Sequence, residues 1–186
     1  MTAINKRKRW ELLHWIILIL PYGFIPLIYF LHVNELEKMD HATIVVISKQ
    51  DMTLSLYKYS GELIMSAPIA SGKNNGNKSI IGDMKTPEGV FHIVSIEESS
   101  NWTHDFKNDS LGPIQGAYGP YFIRINVPGH KGIGIHGTHD NSSLGQRITE
   151  GCIRLNNDDL TILVKHLSVS NIVIITPGID DIGCLN

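Results

Sequence analysis

Two short stretches of the 186-residue chain decide how the sequence is interpreted. Residues 133–138 read IGIHGT, and residues 149–159 read TEGCIRLNNDD. In the first stretch an apolar run ends at His136 between glycines, and in the second Cys152 follows Gly151 and begins another apolar run. Short apolar runs bounded by turn residues are typical of buried strands. The connection between them is long enough for two neighbouring strand ends to meet, so we expect His136 and Cys152 to lie together.

The chemistry of these residue types points to nucleophilic catalysis. A thiol is mostly protonated at neutral pH and needs a base to become a nucleophile, and His136 is the candidate base for Cys152. The carbonyl of Gly137 is placed to accept the ring N–H of His136 and fix its tautomer. Peptide N–H groups at Gly151 and Cys152 are candidates for an oxyanion hole, and Arg154, on the same strand face as the thiol, for binding a carboxylate.

Other interpretations of the same residues stay open at this point. Cys152 is also consistent with a small buried hydrophobic residue, or with a structural disulfide to Cys184, and His136 with a structural turn. A zinc site is an alternative because histidines cluster in this part of the chain. Its candidate ligands are His104, His130, His136, His139 and Asp140. The chain has no C-x-x-C pair and no H-x-x-x-H helix, so the sequence predicts no metal and no other cofactor.

The hydrophobic pattern predicts a mostly β domain with one or two helices. Alternating or continuous apolar runs predict strands at Thr43–Ser48, Thr53–Tyr59, Glu62–Ala70, Val90–Ile96, Tyr121–Val127, Ile133–His136 and Ile172–Thr176. Ser60 and Gly61 predict a hairpin turn between the second and third runs. The polar stretches Ser71–Asp83 and Ser99–Gly119 predict loops, and the length of the second favours a functional lid.

One helix is predicted directly after the cysteine strand. Asn156 or Asn157 is its predicted cap, and Asp158 and Asp159 in its first turn complement the helix dipole. Its predicted apolar face consists of Leu160, Leu163, Val164 and Leu167.

A second predicted helix lies near the N-terminus. Leu12–Asn34 contains no Lys, Arg, Asp or Glu over 23 residues, enough to cross a bilayer, and four basic residues precede it at positions 6–9. We expect an uncleaved membrane anchor with its basic end in the cytoplasm; a cleaved signal peptide and a buried core helix are the alternatives. The predicted organisation is a cytoplasmic tail at 1–11, a transmembrane anchor at 12–34, a linker at 35–42, an exported domain at 43–177 and a C-terminal tail at 178–186.

Composition excludes several classes of protein. The hydrophobic fraction of 42% is that of a folded globular chain, which excludes an intrinsically disordered protein. Lys and Arg number 16 against 18 Asp and Glu, so the chain offers no basic field and we predict no nucleic-acid partner. Two cysteines are too few for a disulfide scaffold.

Taken together, these motifs resemble the signature of the L,D-transpeptidases, the YkuD domain family. The resemblance covers Thr43 to Pro177, which identifies that span as the candidate catalytic domain. Its motifs are His136-Gly137-Thr138, the run from Gly151 to Asp159, the hairpin Ile44–Tyr57, Ser71-Gly72-Lys73 and Thr86-Pro87-Glu88-Gly89. The resemblance implies a mixed β-sandwich, with a helix after the cysteine strand, that remodels peptidoglycan in the bacterial envelope.

By this resemblance, Cys152 is the nucleophile, His136 the general acid and base, and Gly137 the backbone orienter of His136. The implied substrate-binding residues are Thr149, Glu150, Gly151 and Arg154. The implied reaction joins peptidoglycan stem peptides through a cysteine thioester, at the outer face of the bacterial inner membrane. An L,D-carboxypeptidase and a non-catalytic wall-binding module are the alternatives.

The sequence departs from the family pattern at one position of the signature. Glu150 stands where the family usually has histidine. A carboxylate beside the thiol is expected to raise the pKa of Cys152 and to repel anionic substrates.

Overall fold

The computed structural model of the protein describes residues 24–31, 42–105 and 112–182. Of the predicted anchor at 12–34, only residues 24–31 lie within this part of the chain, and they form a helix, α1, with exposed side chains. Within these ranges no helix combines the length and apolar character needed to span a bilayer. The chain divides into two units, Met1–His41 and Ala42–Asn186. The second unit contains the candidate catalytic domain.

Twelve strands and two short helices are assigned among the described residues of this second unit. The strands are β1 Thr43–Ser48, β2 Thr53–Lys58, β3 Leu63–Pro68, β4 Ser71–Gly72, β5 Gly89–Glu98, β6 Thr103–Asp105, β7 Pro113–Gln115, β8 Tyr121–Ile125, β9 Gly134–His136, β10 Arg147–Thr149, β11 Ile153–Arg154 and β12 Ile172–Thr176. The helices are α2 Asn157–Val164 and α3 Ile179–Ile182, and a 3-10 turn covers Asn141–Ser143. The mostly β fold predicted from the hydrophobic pattern is confirmed.

Eight strands form one mixed sheet in the order β11-β9-β8-β5-β12-β1-β2-β3. The pairs β1–β12 and β9–β11 are parallel, and the other pairs in this sheet are antiparallel. The two ends of the sheet meet, because Ala70, just after β3, exchanges two 2.9 Å backbone hydrogen bonds with Arg154 of β11. This contact places the cysteine strand between β9 and the chain that follows the hairpin β2–β3.

Side chains alternate between the two faces along β5, β8, β9 and β11, which gives this end of the sheet one apolar and one polar face. Ile96, Ile123, Ile135 and Ile153 are register partners across β5, β8, β9 and β11. The last three are fully buried in the core. Side chains one residue before or after them therefore point to the opposite face of the sheet. That opposite face carries the candidate nucleophile and its base.

Helix α2 packs on the core through Leu160 and Leu163, which are fully buried. Asn156 is its N-cap and accepts a 2.8 Å hydrogen bond from the Asp158 N–H. The helix ends at Val164, one residue before its cap at Lys165. Val164 and Leu167 still pack against the core, so all four residues of the predicted apolar face contact it.

The long segment Ser99–Gly119 differs from the loop that its polar composition predicts. It contains the antiparallel hairpin β6–β7, in which Thr103 pairs with Gln115 and His104 with Ile114. Ser99 anchors the base of the segment, since its hydroxyl donates to the Gly119 carbonyl at 2.9 Å. The base of the segment is therefore fixed, and the rings of Trp102 and Tyr118 contact Phe122 on the polar face of the sheet.

Candidate active site

Strand register places Cys152 and His136 on the same face of adjacent strands. β9 and β11 are parallel, with Ile135 opposite Ile153 and His136 opposite Arg154. Cys152 comes one residue before β11 and Gly134 lies two residues before His136, so all four of these positions share the polar face. Position 134 accepts only glycine, because a Cβ atom there would collide with the ring of Phe122 and the Ile123 carbonyl.

His136 is held in one orientation and almost fully buried. Its Nδ1 donates to the Gly137 carbonyl at 2.7 Å, which leaves Nε2 as the proton-accepting nitrogen. The ring stacks on Phe122 with an interplanar angle of 7° and meets the edge of Tyr118 at 4.9 Å between centroids. Burial lowers the pKa of His136 to about 3, against the opposing effect of the Gly137 hydrogen bond. The imidazole is therefore neutral at physiological pH.

Cys152 is a free, half-buried thiol whose Sγ donates to the Gly132 carbonyl at 3.4 Å. Burial, together with a smaller contribution from the negative charge of Glu150 that the sequence predicts, raises the pKa of this thiol to about 11. The backbone of Gly134 acts in the opposite direction. The resting site is thus a neutral thiol beside a neutral imidazole. Cys184, the alternative disulfide partner, lies outside the described residues.

Thr149 and Gly151 shape the turn that presents the thiol. The Thr149 hydroxyl donates to the Cys152 carbonyl at 2.6 Å and accepts from the Gly151 N–H at 3.2 Å. Gly151 has φ +131°, and a Cβ atom there would lie 2.7 Å from the Lys85 carbonyl. A side chain at this position is therefore excluded by both strain and space. The Gly151 N–H is therefore engaged within the turn, and its role in an oxyanion hole stays a prediction.

Thr86 of the Thr-Pro-Glu-Gly motif ties this turn to the rest of the domain. Its fully buried hydroxyl donates to the Gly151 carbonyl at 3.0 Å and accepts from the Gly72 N–H at 2.8 Å. A Cβ atom on Gly72 would lie 2.6 Å from the Thr86 nitrogen. Two motifs that are far apart in sequence therefore meet directly behind the thiol.

Arg154 lies beside His136 and is only 5% exposed. Its Nη1 donates to the Ser143 hydroxyl at 3.0 Å, and the Ser143 hydroxyl donates to the Asp140 carbonyl at 2.7 Å. Burial lowers the pKa of Arg154, partly offset by the charge of Asp140. These contacts tie the guanidinium to the turn at Asn141–Ser143, and its role in substrate binding stays a prediction.

Three aromatic residues from the segment Ser99–Gly119 reach the site: Trp102, His104 and Tyr118. The sequence singled out only His104 among them, and as a candidate zinc ligand. The Tyr118 ring lies between Trp102 and His136, with centroid distances of 6.0 and 4.9 Å. The Tyr118 hydroxyl lies 2.9 Å from Nδ1 of His104. Nε2 of His104 is in turn 3.8 Å from a carboxylate oxygen of Glu150. The unusual length of the segment was the sequence signal that predicted a functional role.

Asn157 also contributes to the site, although the sequence predicts for it only the role of a possible helix cap, which Asn156 fills. Its side chain instead pairs with the backbone of Thr138, accepting from the N–H at 2.8 Å and donating to the carbonyl at 2.9 Å. A Cβ atom on Gly119 or Gly137 would collide with this side chain. Asn157 therefore fixes the chain that follows His136, including the Gly137 carbonyl.

The histidines of the zinc alternative do not assemble into a three-ligand group. Among the described residues, which include His104, His130, His136, His139 and Asp140, no set of three or more His, Cys, Asp or Glu side chains is placed to hold a metal ion.

Comparison with known proteins agrees with this arrangement. The family model of the L,D-transpeptidase catalytic domain, YkuD, matches residues 42–175, which include the whole of the site. The chain belongs to the L,D-transpeptidase family.

Curated relatives of this L,D-transpeptidase domain carry the same family name. YkuD of Bacillus licheniformis is 30% identical over 133 residues, covering 72% of this chain and 65% of that protein. YqjB of Bacillus subtilis is 33% identical over 96 residues, covering 50% of this chain and 53% of that protein. The chain thus spans between half and two thirds of the length of these relatives.

Solved structures share the fold of the domain at lower sequence identity. L,D-transpeptidase 3 from Mycobacterium tuberculosis superposes with a TM-score of 0.56 at 18% identity, covering 73% of this chain and 61% of that one. The helical cell shape determining protein Pgp2 from Campylobacter jejuni gives 0.55 at 24% identity, covering 74% and 48%. These likenesses extend to the fold and not to individual residues.

Proposed function

We propose that this family member is a membrane-anchored L,D-transpeptidase that joins the stem peptides of peptidoglycan through a Cys152 thioester. The observation that carries the proposal is the shared sheet face of Cys152 and His136, with Nδ1 of His136 held by the Gly137 carbonyl. This arrangement leaves Nε2 of His136 to accept a proton from a nucleophile on its own side of the sheet.

In the first half-reaction, Cys152 attacks the carbonyl of the third residue of a stem tetrapeptide. Sγ turns away from the Gly132 carbonyl towards the substrate, and its proton moves to Nε2 of His136 as the C–S bond forms. Because both groups are neutral at rest, proton transfer accompanies attack rather than preceding it. The peptide C–N bond then breaks, His136 returns the proton to the departing D-alanine amine, and a thioester remains on Cys152.

In the second half-reaction, an amine of another stem peptide attacks the thioester. The new C–N bond forms, the C–S bond breaks, and one amine proton passes through Nε2 of His136 to the Cys152 sulfur. The product is a 3→3 cross-link between two stems. Attack by water at the same carbonyl yields a free tripeptide instead, which is the reaction of an L,D-carboxypeptidase. The cleaved peptide bond supplies the driving force, so no nucleotide is required.

Product analysis distinguishes these outcomes. The full chain is incubated with a disaccharide-tetrapeptide, and the small products are separated by chromatography. A cross-linked dimer with free D-alanine is the expected result, whereas free tripeptide without dimer would replace the transpeptidase assignment by the carboxypeptidase.

A non-catalytic wall-binding module is the second candidate function. It is favoured by the direction of the Cys152 Sγ, which contacts the Gly132 carbonyl, and by the raised pKa of the thiol. This candidate predicts stem-peptide binding without release of D-alanine, both in the native chain and in Cys152→Ala. Loss of D-alanine release in Cys152→Ala alone contradicts it.

Membrane anchoring is the part of the proposal that rests on the sequence. The uncharged stretch at 12–34 and the basic residues at 6–9 support a single span with the domain on the outer face of the bacterial inner membrane. Alkaline carbonate extraction of cells tests it. We expect the chain to stay in the membrane pellet and its domain to be digested by protease added to spheroplasts, and release into the supernatant would contradict the anchor.

A further inference from the structure

The carboxylate of Glu150 stands at the solvent-facing rim of the candidate site. Glu150 directly precedes the Gly151–Cys152 turn, and its side chain is 58% exposed. Its charge is close enough to raise the pKa of both Cys152 and Tyr118, after the larger effect of burial on each. An incoming molecule that approaches the sulfur from solvent therefore meets this negative charge.

On the protein side of Glu150, contacts with Tyr118 hold the ring of His104 towards the Glu150 carboxylate. Nε2 of His104 faces the carboxylate at 3.8 Å, and the negative charge of Glu150 favours the tautomer that carries its hydrogen on this nitrogen. The other ring nitrogen then accepts from the Tyr118 hydroxyl at 2.9 Å. Tyr118 is itself fixed by edge contacts with the rings of Trp102 and His136.

The contact between His104 and Glu150 leaves room for another donor. At 3.8 Å, the Nε2–Oε2 separation exceeds hydrogen-bond length, so His104 orients the carboxylate without using up its acceptor capacity. The two cations whose charges act on Cys152, Arg124 and Lys78, are paired with other carboxylates. Arg124 contacts both carboxylate oxygens of Glu97 at 3.0 and 3.3 Å, and Lys78 lies 2.8 Å from Asp83.

We propose that Glu150 binds the protonated amine of the acceptor beside the Cys152 thioester, with His104 and Tyr118 as positioning residues for its carboxylate. This inference rests on the proposed function and names the chemistry of its second substrate. The bound ammonium gives one proton to solvent, and the neutral amine then attacks the thioester. The C–N bond forms, the C–S bond breaks, and a second amine proton reaches the sulfur through His136.

Competition between two acceptors for one acyl-enzyme tests the inference. The full chain is acylated with disaccharide-tetrapeptide and offered a stem-peptide amine, which is an ammonium ion at neutral pH, together with hydroxylamine, which is uncharged. Because both products arise from the same thioester, any change in acylation cancels from their ratio. We expect Glu150→Gln to lower the ratio of amide to hydroxamate about tenfold.

Matched variants separate the charge of Glu150 from general effects. Glu150→Asp keeps a carboxylate and is expected to restore most of the ratio. Glu62→Gln makes the same charge change on the distant hairpin, where Glu62 pairs with Lys58, and is expected to leave the ratio unchanged. Tyr118→Phe removes only the hydroxyl that holds His104, and we expect it to lower the ratio partly while the melting temperature stays within a few degrees.

The outcomes distinguish this inference from the function on which it rests. An unchanged ratio in Glu150→Gln, with the acyl-enzyme still formed, overturns the role of Glu150 and leaves the transpeptidase intact. An equal loss of the amide and the hydroxamate in Glu150→Gln also overturns the role of Glu150, because their ratio is then unchanged. Absence of any acyl-enzyme in the native chain overturns the proposed function and this inference together.

Discussion

His136 and Cys152 are both shifted towards their neutral forms by burial. The pKa of His136 falls to about 3 and that of Cys152 rises to about 11. A preformed thiolate–imidazolium pair would require the opposite shifts. The resting thiol is consequently protected from adventitious alkylation and oxidation, and it becomes nucleophilic only when a substrate places its carbonyl within reach.

Alkylation of Cys152 by iodoacetamide tests this resting state. The raised pKa leaves little thiolate at neutral pH, and the higher intrinsic reactivity of that thiolate offsets part of the deficit. We expect alkylation at pH 7.5 to be roughly tenfold slower in the folded chain than in the urea-unfolded chain, and to keep rising with pH until about 11. Intact mass, measured in a Cys184→Ser background, follows the reaction. A rate plateau below pH 8 would contradict a neutral resting thiol.

At the scale of elements, the turn at Gly151 that presents the thiol is stabilised by a hydrogen bond from a distant segment of the chain. Thr86 joins the Gly72 N–H to the Gly151 carbonyl through one buried hydroxyl. Its removal leaves a buried donor and a buried acceptor without their partner. The Thr-Pro-Glu-Gly turn is thus part of the support of the candidate active site, although it lies more than sixty residues before the cysteine.

Thr86→Val is expected to lower the free energy of unfolding by about 1–3 kcal/mol, because both hydrogen bonds are lost while the side-chain volume is kept. Urea denaturation measures this change, and the acylation rate is expected to fall with it as the turn loosens. Thr86→Ser keeps the hydroxyl and serves as the control, with most of both quantities retained. Equal stability of Thr86→Val and the native chain would exclude the buttressing role.

Strands were easier to predict from the sequence than the contacts that complete the site. Thr43–Ser48 and Ile172–Thr176 are found with the predicted bounds, because continuous β-branched runs specify buried strands locally. His104 and Asn157 were not predicted in their observed places, since their partners Tyr118 and Thr138 are set by tertiary packing. The hairpin β6–β7 was missed for a related reason: its strands are three residues long and mostly polar.

At the scale of the domain, a buried charge cluster joins segments that are distant in sequence. Lys49, at the end of β1, is 1% exposed, and its ammonium lies 3.0 Å from Asp181 of α3 and 2.9 Å from the Gly76 carbonyl. Glu88 also contacts it. The cluster attaches α3 and the loop before β5 to the sheet.

Lys49→Met is expected to destabilise the domain by about 3–5 kcal/mol, because it leaves the Asp181 carboxylate buried without its closest cation. Lys58→Met removes a lysine from an exposed pair with Glu62 and is expected to cost less than about 1 kcal/mol. Urea denaturation of both variants measures the difference. Similar losses in the two variants would contradict a structural role for the buried cluster.

The same cluster predicts how stability responds to acid. Burial alone raises the pKa of Asp181, but hydrogen bonds from Gly76, Gly178 and Lys49 outweigh it and hold the pKa at about 2, below the ordinary 3.8. A depressed folded pKa stabilises the fold above pH 4, and this contribution is lost as the pH falls towards 2. Thermal melts from pH 5 to 2 should show this decline, and Asp181→Asn should flatten it. If the melting temperature of Asp181→Asn falls as steeply between pH 5 and 2 as that of the native chain, the loss of stability arises from other carboxylates.

The proposed mechanism requires that Cys152 forms a thioester with the stem peptide and that His136 moves its proton. The most direct measurement is the intact mass of the full chain after mixing with disaccharide-tetrapeptide, beside Cys152→Ala, His136→Ala and, as a control, His92→Ala, a change at an exposed residue of β5. We predict an adduct equal to the disaccharide-tetrapeptide minus alanine on the native chain and on His92→Ala, little on His136→Ala and none on Cys152→Ala. An adduct of that mass on Cys152→Ala, or none on the native chain while D-alanine is released, would contradict the mechanism.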